Sequence, residues 1–331
     1  MSKFLELFLD SFDESIIEKT KLENKPYVAY SIKEGKVVYT VVPVKEEDPE
    51  IDLTIPYVTF TAEEDNSSIG LEKLSTNQTL EYSVDTITWN IFDTTTNIPL
   101  NNGDKVYVRG MLSGDNSVDY KNGDHDCTQF KMSGKIATSG NCNAIWNYQD
   151  LNAPLKAYCG CYMFSGCSSL ITAPELPATT LTESCYNYMF YECSSLITAP
   201  EILPATTLAK ECYAWMFGYC TSLVTAPELP ATELADGCYD QMFYGCTSLT
   251  LAPELPATEL AELCYGGMFV GCTSLNHIKC LATDISATDC TLGWVYGVAE
   301  TGTFIKHPDM KSWNTGTGGI PSGWELVDAE V

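Results

Sequence analysis

The feature that most constrains the fold is a sequence unit repeated five times between residues 158 and 280. Its clearest copies are CYNYMFYECSSLITAPEILPATTL from Cys185 and CYDQMFYGCTSLTLAPELPATEL from Cys238. The period is 26 residues, with one step of 27 where APEILPAT replaces APELPAT. A unit this short cannot bury its own apolar face, so successive units must stack and share one core. We expect the extra residue, at Ile202 and Leu203, to lie in a loop that tolerates it.

Apolar residues at matching positions of each unit predict that shared core. One turn of it is traced by Leu170, Leu176, Leu181, Cys185, Met189, Phe190 and Cys193. The equivalent residues of the next turn should lie ~4.8 Å away, the spacing of paired strands. The prolines of APELP lack backbone donors and disfavour helix, so short strands should alternate with tight turns. The pattern therefore predicts a solenoid of about five turns over residues 147–284.

The segment MFYGCTSL from Met242 resembles the BspA-type leucine-rich repeats, in which Met-Phe or Ala-Phe precedes Gly-Cys, Ser or Thr, Ser and Leu. The cysteine form with APELPAT, followed by a tail such as GIPSGWEL from Gly319, is similar to a form frequent in gut Bacteroidetes and in the phages that infect them. The resemblance covers residues 155–331. It implies a leucine-rich-repeat architecture and a surface used for adhesion or recognition, without a named activity.

The 15 cysteines are compatible with a disulfide scaffold, a metal array or buried thiols. Most fall in two columns, Cys159, Cys185, Cys212, Cys238 and Cys264 at the start of each unit, and Cys167, Cys193, Cys220, Cys246 and Cys272 within it. Rungs ~4.8 Å apart exceed the ~3.8 Å between Cβ atoms of a disulfide. Zinc sites need close C-x2-C pairs or nearby histidines, and the chain has 3 histidines. We expect buried free thiols in both columns. The state of Cys127, Cys142, Cys161, Cys280 and Cys290 stays open.

The chain before the repeats divides into two predicted parts. Residues 1–50 combine an amphipathic helix, a β-hairpin from Tyr27 and an acidic linker. The apolar face of the helix consists of Leu5, Phe8, Leu9, Phe12 and Ile16. We interpret it as an anchor to a larger assembly, and the alternative is packing on its own domain. Residues 51–146 alternate apolar and polar residues, as in KVYVRGML, which predicts an antiparallel β-sandwich that serves as a spacer or docking domain.

Residues 285–331 depart from the repeat and predict a C-terminal cap over the last open turn. Trp294, Trp313 and Trp324 are assigned to the core of that cap. The predicted fold is mainly β and multidomain: an N-terminal helix and hairpin, an antiparallel β-sandwich, a leucine-rich-repeat solenoid and a cap.

Charge and composition restrict the partners. A net charge of -26 is the opposite of a nucleic-acid footprint, so we expect no nucleic acid. No run of 18 apolar residues occurs, so no membrane insertion is expected. The loop DYKNGDHD offers Asp119, Asn122, Asp124 and Asp126 as a calcium candidate. Its spacing lacks the EF-hand pattern, and a solvated loop is the alternative.

No catalytic motif emerges from the sequence. His125, His277 and His307 lie in different parts of the chain, and none joins a nucleophile motif. The recurring glutamates belong to the APELP pattern, and a phosphate-binding glycine loop is missing. We therefore expect a protein that is not an enzyme and has no cofactor.

Positions that vary between uniform turns are the candidates for recognition, because stacking fixes the rest. The candidate ligand or partner surface consists of Tyr162, Tyr188, Tyr191, Trp215, Tyr219 and Tyr244. An exposed aromatic strip offers flat stacking area to sugar rings or a protein. The alternative is that these rings shield the flank of the stack.

The N-terminal residues MSKFLELFLDSFDE do not resemble a secretory signal, because acidic residues interrupt the apolar ones. We therefore expect a phage virion protein of the tail or head fibre type, made in the host cytoplasm. Its N-terminal region would bind other virion proteins, and its repeats would bind a host-surface glycan or protein. The alternatives are a Bacteroidetes cell-surface adhesin whose leader was removed, and an intracellular protein-binding scaffold. A homo-oligomer is compatible with each.

Overall fold

The computed structural model describes residues 27–33, 36–42, 54–119, 124–310 and 313–330. They fall in two compact units, one within Met1–Ile51 and one within Asp52–Val331. In the first, β1 (Tyr27–Lys33) and β2 (Lys36–Val42) pair antiparallel, as the hairpin prediction requires. The predicted anchor helix, the hairpin turn and the acidic linker lie outside the described residues. No described helix is long and apolar enough to cross a bilayer.

The second unit opens with two antiparallel sheets in contact. Its strands are β3 (Val58–Ala62), β4 (Ser67–Lys73), β5 (Gln78–Ser83), β6 (Asn90–Ile91), β7 (Asn97–Leu100), β8 (Lys105–Leu112), β9 (Ser117–Asp119), β10 (Asp124–Asp126), β11 (Gln129–Ser133) and β12 (Ile136–Ser139), followed by helix α1 (Asn143–Asn147). One sheet has the order β12-β3-β8-β5-β6 and the other β11-β4-β7, while β9 and β10 form a separate pair. Alternate residues of β8 point inward, and Phe60 meets Phe130 with ring centroids 5.1 Å apart.

The repeats continue this core without a break. β12 pairs in parallel with β13 (Leu170–Thr172) of the first repeat, and Phe130 stacks on Phe164 at 5.1 Å. The backbone N–H of Phe130 also donates to the carbonyl of Met163. One buried cluster extends from the two sheets to the C-terminal tryptophans. The predicted division at residue 146 is therefore not a break in packing: the two sheets cover the open end of the repeats, where the first repeat's backbone groups need partners.

Successive repeats are joined by backbone hydrogen bonds at the repeat period. Tyr162 N–H donates to the carbonyl of Asn187 at 3.1 Å, Met163 N–H closes a turn on the Gly160 carbonyl, and Phe164 N–H again donates to the next unit, at 2.8 Å. Successive backbone N–H groups thus alternate between a hydrogen bond to the next unit and a turn hydrogen bond within their own unit. This alternation leaves few of these buried groups without a partner. At the long step, Ile202 is 37% exposed whereas Leu203 is buried.

Apolar side chains at equal positions form buried columns. Phe164, Phe190, Phe217, Phe243 and Phe269 stack with centroid spacings of 5.4, 5.4, 5.6 and 5.9 Å. These spacings exceed the ~4.8 Å expected for the backbone and lie within the ~4.5–7 Å range of offset-stacked ring centroids. Of the predicted core turn, only Leu181 is partly exposed.

Both cysteine columns are buried and free, as predicted. In the second column each thiol donates to the Phe carbonyl of the preceding unit, at 3.0 Å for Cys193 and 3.1 Å for Cys220 and Cys246. A cysteine there is small, apolar and still able to satisfy a buried carbonyl. Outside the columns, Cys142, Cys280 and Cys290 are free, whereas Cys127 and Cys161 form a disulfide.

The repeat pattern runs further than predicted. Phe269 N–H donates to the carbonyl of Trp294 at 2.8 Å, so residues 290–297, assigned to the cap, add another rung to the stack. Three strands, β14 (His277–Cys280), β15 (Thr303–Lys306) and β16 (Glu325–Asp328), form a parallel sheet in the same part of the chain. Trp313 stacks on Trp294 at 5.7 Å, and both are buried with Trp324. The tryptophans therefore form core, as predicted.

Thiol labelling tests this arrangement. We expect no reaction of the native chain with a maleimide, because burial raises the pKa of the column thiols, and that of Cys238 rises to about 12. In denaturant without reductant, mass spectrometry should count every cysteine except Cys127 and Cys161. Labelling of column cysteines in the native chain would contradict the buried columns, and full labelling in denaturant would contradict the disulfide.

Candidate recognition surface

The six predicted surface rings lie in one cluster. Tyr162 stacks on Tyr188 at 4.8 Å and 8°, Tyr188 on Trp215 at 5.5 Å and 8°, and Trp215 on Tyr244 at 5.1 Å and 30°. Tyr191 meets Tyr219 edge to face at 5.6 Å. We call this set the ring ladder: Tyr162, Tyr188, Tyr191, Trp215, Tyr219 and Tyr244.

The backbone places several of these rings at a cost. Tyr162, Tyr188 and Trp215 have φ of 56°, 55° and 57°, in the left-handed region. The later unit has Gly267 at this position, with φ 55°. A bulky residue there costs roughly 1–3 kcal/mol. The alternating turns require this conformation, and the stacked rings recover part of its cost through mutual contact.

Room for the largest ring comes from a residue that sequence reasoning did not single out. A Cβ on Gly218 would lie 3.0 Å from ring atoms of both Trp215 and Tyr191. The tryptophan therefore fits because its unit has glycine at the position where the neighbouring units have Tyr191 and Tyr244. The sequence signal was the pairing of the largest ring with the smallest residue three positions later.

The ladder does not offer the flat area that the sequence suggested. Both faces of Tyr188 are covered, by Tyr162 and Trp215, so neighbouring rings shield one another. Rings with both faces covered expose only their rims, and the largest exposure in the ladder is that of Tyr219, at 39%. Burial and neighbouring rings and carboxylates raise the pKa of Tyr188, and burial with Glu192 raises that of Tyr191 to about 12. The phenol hydroxyls therefore stay protonated and can donate.

A histidine joins the N-terminal end of the ladder. The imidazole of His125 stacks on Tyr162 at 4.5 Å and 2°, and Lys73 Nζ lies 3.5 Å from its Nε2. Burial, followed by Lys73, lowers the pKa of His125 against the opposing effect of Asp124. The imidazole therefore favours its neutral form. Because β10 carries this residue from outside the repeats, no periodic pattern pointed to it.

The calcium candidate is not assembled in the described residues. Asp119 and Asp124 face each other across the β9-β10 pair, whereas Asp126 accepts hydrogen bonds from Thr76 N–H at 2.8 Å and its hydroxyl at 2.5 Å. Asn122 lies outside the described residues. Among the described residues, no group of three His, Cys, Asp or Glu could hold a metal ion.

Two clefts flank the ring ladder. One, of about 550 Å³, lies between Tyr191 and Tyr219 and is lined by polar residues and Glu192. The other, of about 470 Å³, we call the acidic groove. Its walls are Asn187, Tyr188, Lys210, Glu211, Ala214, Trp215, Asp236, Gly237, Asp240, Glu262 and Leu263. Both clefts suit ligands that reach ring rims and carboxylates together.

Charge is unevenly compensated in the acidic groove. Lys210 Nζ lies 3.6 Å from Glu183 and 3.5 Å from Glu211. Asp240 accepts a hydrogen bond from Gln241 Nε2 at 3.0 Å. Burial, then the nearby Glu211, raises the pKa of Asp240. The surroundings of Asp240 thus disfavour its negatively charged form.

Comparison of the chain with protein-family models, with curated proteins and with solved structures finds no match. The resemblance in MFYGCTSL and APELPAT remains a prediction from sequence. Function is therefore inferred from the geometry of the ring ladder and of its two clefts.

The raised pKa of Asp240 predicts a pH-dependent effect on stability. Folding favours the protonated form, so the stability present at low pH is lost as pH rises through the folded pKa. Asp240→Asn should therefore raise the midpoint of thermal unfolding at pH 7 and change it little at pH 3, below the ordinary value of 3.8. Asp236→Asn, at an exposed position of the same groove, is the control. An equal gain at both pH values would contradict the assignment.

Proposed function

We propose that this chain is a non-enzymatic recognition protein, a BspA-type leucine-rich-repeat solenoid that presents the ring ladder to a ligand on a bacterial surface. The ring ladder carries the proposal. Stacked rings occupy one position in three consecutive units, at Tyr162, Tyr188 and Trp215, although the two later units have Gln241 and Gly267 there with the same left-handed φ. The fold therefore does not require a ring at this position, and variation between otherwise uniform units is an indication of a recognition surface.

The solenoid part of the proposal is supported by register. Hydrogen bonds link residues one repeat apart, from Gly160 to Cys185, from Tyr186 to Cys212 and on to Cys290. Single parallel bridges join Thr172, Thr198 and Thr225 in the same way. Such nearest-neighbour contacts are how stacked repeats share a core.

The ligand that suits this surface is a host-surface protein or glycan that contacts rims and clefts. Ring faces are covered, so a sugar would be held by hydrogen bonds to phenol hydroxyls and carboxylates, without stacking between the rings. A protein would place protruding side chains into the clefts beside Tyr188 and Tyr219.

We propose a phage virion as the setting, with a bacterial cell-surface adhesin as the second candidate. The Cys127–Cys161 disulfide favours an oxidising environment, which both settings provide and an intracellular scaffold does not. The free thiols of the repeat columns are compatible with assembly in a cytoplasm, because burial protects them.

Alanine substitutions test the surface. Trp215→Ala and Tyr188→Ala should each weaken binding to gut Bacteroidetes cells by about tenfold, because truncating an aromatic anchor of an interface costs about 1–2 kcal/mol or more. Tyr296→Ala removes an aromatic side chain, 64% exposed, outside the ladder and should leave binding unchanged. Circular dichroism checks that the variants fold. Wild-type binding by both ladder variants would contradict the proposal.

The setting has its own test. Mass spectrometry of purified phage particles carrying the gene should detect this chain at a stoichiometry typical of a structural protein. Its absence from particles, together with its presence in a cell-surface fraction, would replace the virion by the adhesin.

A further inference from the structure

We propose that the acidic groove receives an arginine side chain from a protein partner. This inference rests on the proposed recognition function and names the chemistry of its ligand. Three properties of the groove support it: its shape, its uncompensated charge and the cation of this chain already held at its edge.

The groove has an apolar part and a charged part. Ala214, Leu263 and the rims of Tyr188 and Trp215 supply the apolar part. Its volume of about 470 Å³ accommodates a long side chain with its neighbours. A side chain with an apolar stem and a charged head matches this division, because the stem can cover apolar surface while the head reaches polar groups.

The charged part lacks a counterion. Among the lining residues, Lys210 alone is basic, and its pairing with Glu211 and Glu183 leaves Asp236, Asp240 and Glu262 with no ion-pair partner in the described residues. Asp240 is half-buried, and its raised pKa reports the cost of that uncompensated charge. An entering cation would relieve it.

Lys210 shows that this site can hold a cation. Its ammonium lies between two carboxylates at 3.6 and 3.5 Å, and those carboxylates, Glu211 first and then Glu183, raise its pKa. A second cation would meet the same kind of partner at Asp236, Asp240 and Glu262 in the same groove.

Guanidinium fits this set better than a metal ion or an ammonium. No group of three acidic residues among the described positions could share one metal ion. A guanidinium spreads five donors over a rigid plane and can bind separated carboxylates together, whereas an ammonium is a compact point charge. Charge complementarity with the chain's net charge of -26 also favours the approach of a basic segment.

Titration calorimetry with short peptides tests the inference on the full chain. The probes are acetylated pentapeptides with two arginines, with two lysines, or with two citrullines, which keep the shape of arginine but lack its charge. We expect the arginine peptide to bind about tenfold more tightly than the citrulline peptide, and more tightly than the lysine peptide. Asp240→Asn should lower arginine-peptide affinity about tenfold. Glu228→Gln, which removes one charge at an exposed position outside the groove, should not change it.

Equal binding of the arginine and citrulline peptides would overturn the inference. Equal losses in Asp240→Asn and Glu228→Gln would also overturn it, because binding would then follow total charge. Cell binding by the same variants separates the two proposals. Cell binding that depends on Trp215, without binding of the arginine peptide, would refute the arginine proposal and leave the recognition proposal standing. Binding of the arginine peptide without cell binding would refute the recognition proposal. Asp240-dependent cell binding that survives protease treatment of the cells would refute a protein as the source of the cation.

Discussion

The backbone ladder between repeats is the constraint on which the rest of the structure depends. Within the stretch from Gly160 to Cys167, every second N–H reaches the next unit and the others close turns. A chain that satisfies its backbone in this way must have partners at both ends. The two antiparallel sheets supply them before the first unit, through Phe130, and the rung around Trp294 supplies them after the last. The ends are therefore part of the stack and not separate attachments.

The same ladder brings equal positions of successive units into register, so a side chain meets its own counterpart. Inside, this makes the phenylalanine and cysteine columns. On the surface, the same register forms the ring ladder, because aromatic residues at one position of consecutive units lie next to each other and stack. Stacking covers the ring faces, as at Tyr188, so a ligand can contact only the rims of these rings and not a flat aromatic surface. Recognition then depends on the groups beside the rims, in the clefts next to Trp215 and Tyr219.

Periodicity decided how much could be predicted from the sequence. The buried columns follow from apolar residues that recur at the repeat period, and the ring positions follow from the columns that vary between units. The period alone does not decide burial, since the recurring Glu201, Glu228 and Glu254 are exposed. Contacts between a repeat and a part of the chain outside the repeats, or between different units, could not be predicted in this way. His125 comes from β10, and the Cys127–Cys161 disulfide crosses from the sheets to the first unit. The acidic groove is assembled from residues of successive units, so no single copy of the repeat displays it. The predicted boundary at residue 146 lies just before the repeats begin, while hydrogen bonding continues across it.

A regular stack can carry an irregular surface because its core and its surface columns are separable. Gly267 has the same left-handed φ as Trp215, so the backbone of a unit does not depend on the ring at that position. Rings, glycines and carboxylates can therefore vary from unit to unit without disturbing the ladder that holds the units together. Since Gly218 makes room for Trp215, and Asp240 lies beside that ring in the acidic groove, the local combination of small, aromatic and acidic residues defines a distinct place on an otherwise uniform stack. Specific binding requires such a place, because a surface that repeated perfectly would offer every unit as an equal and weak site.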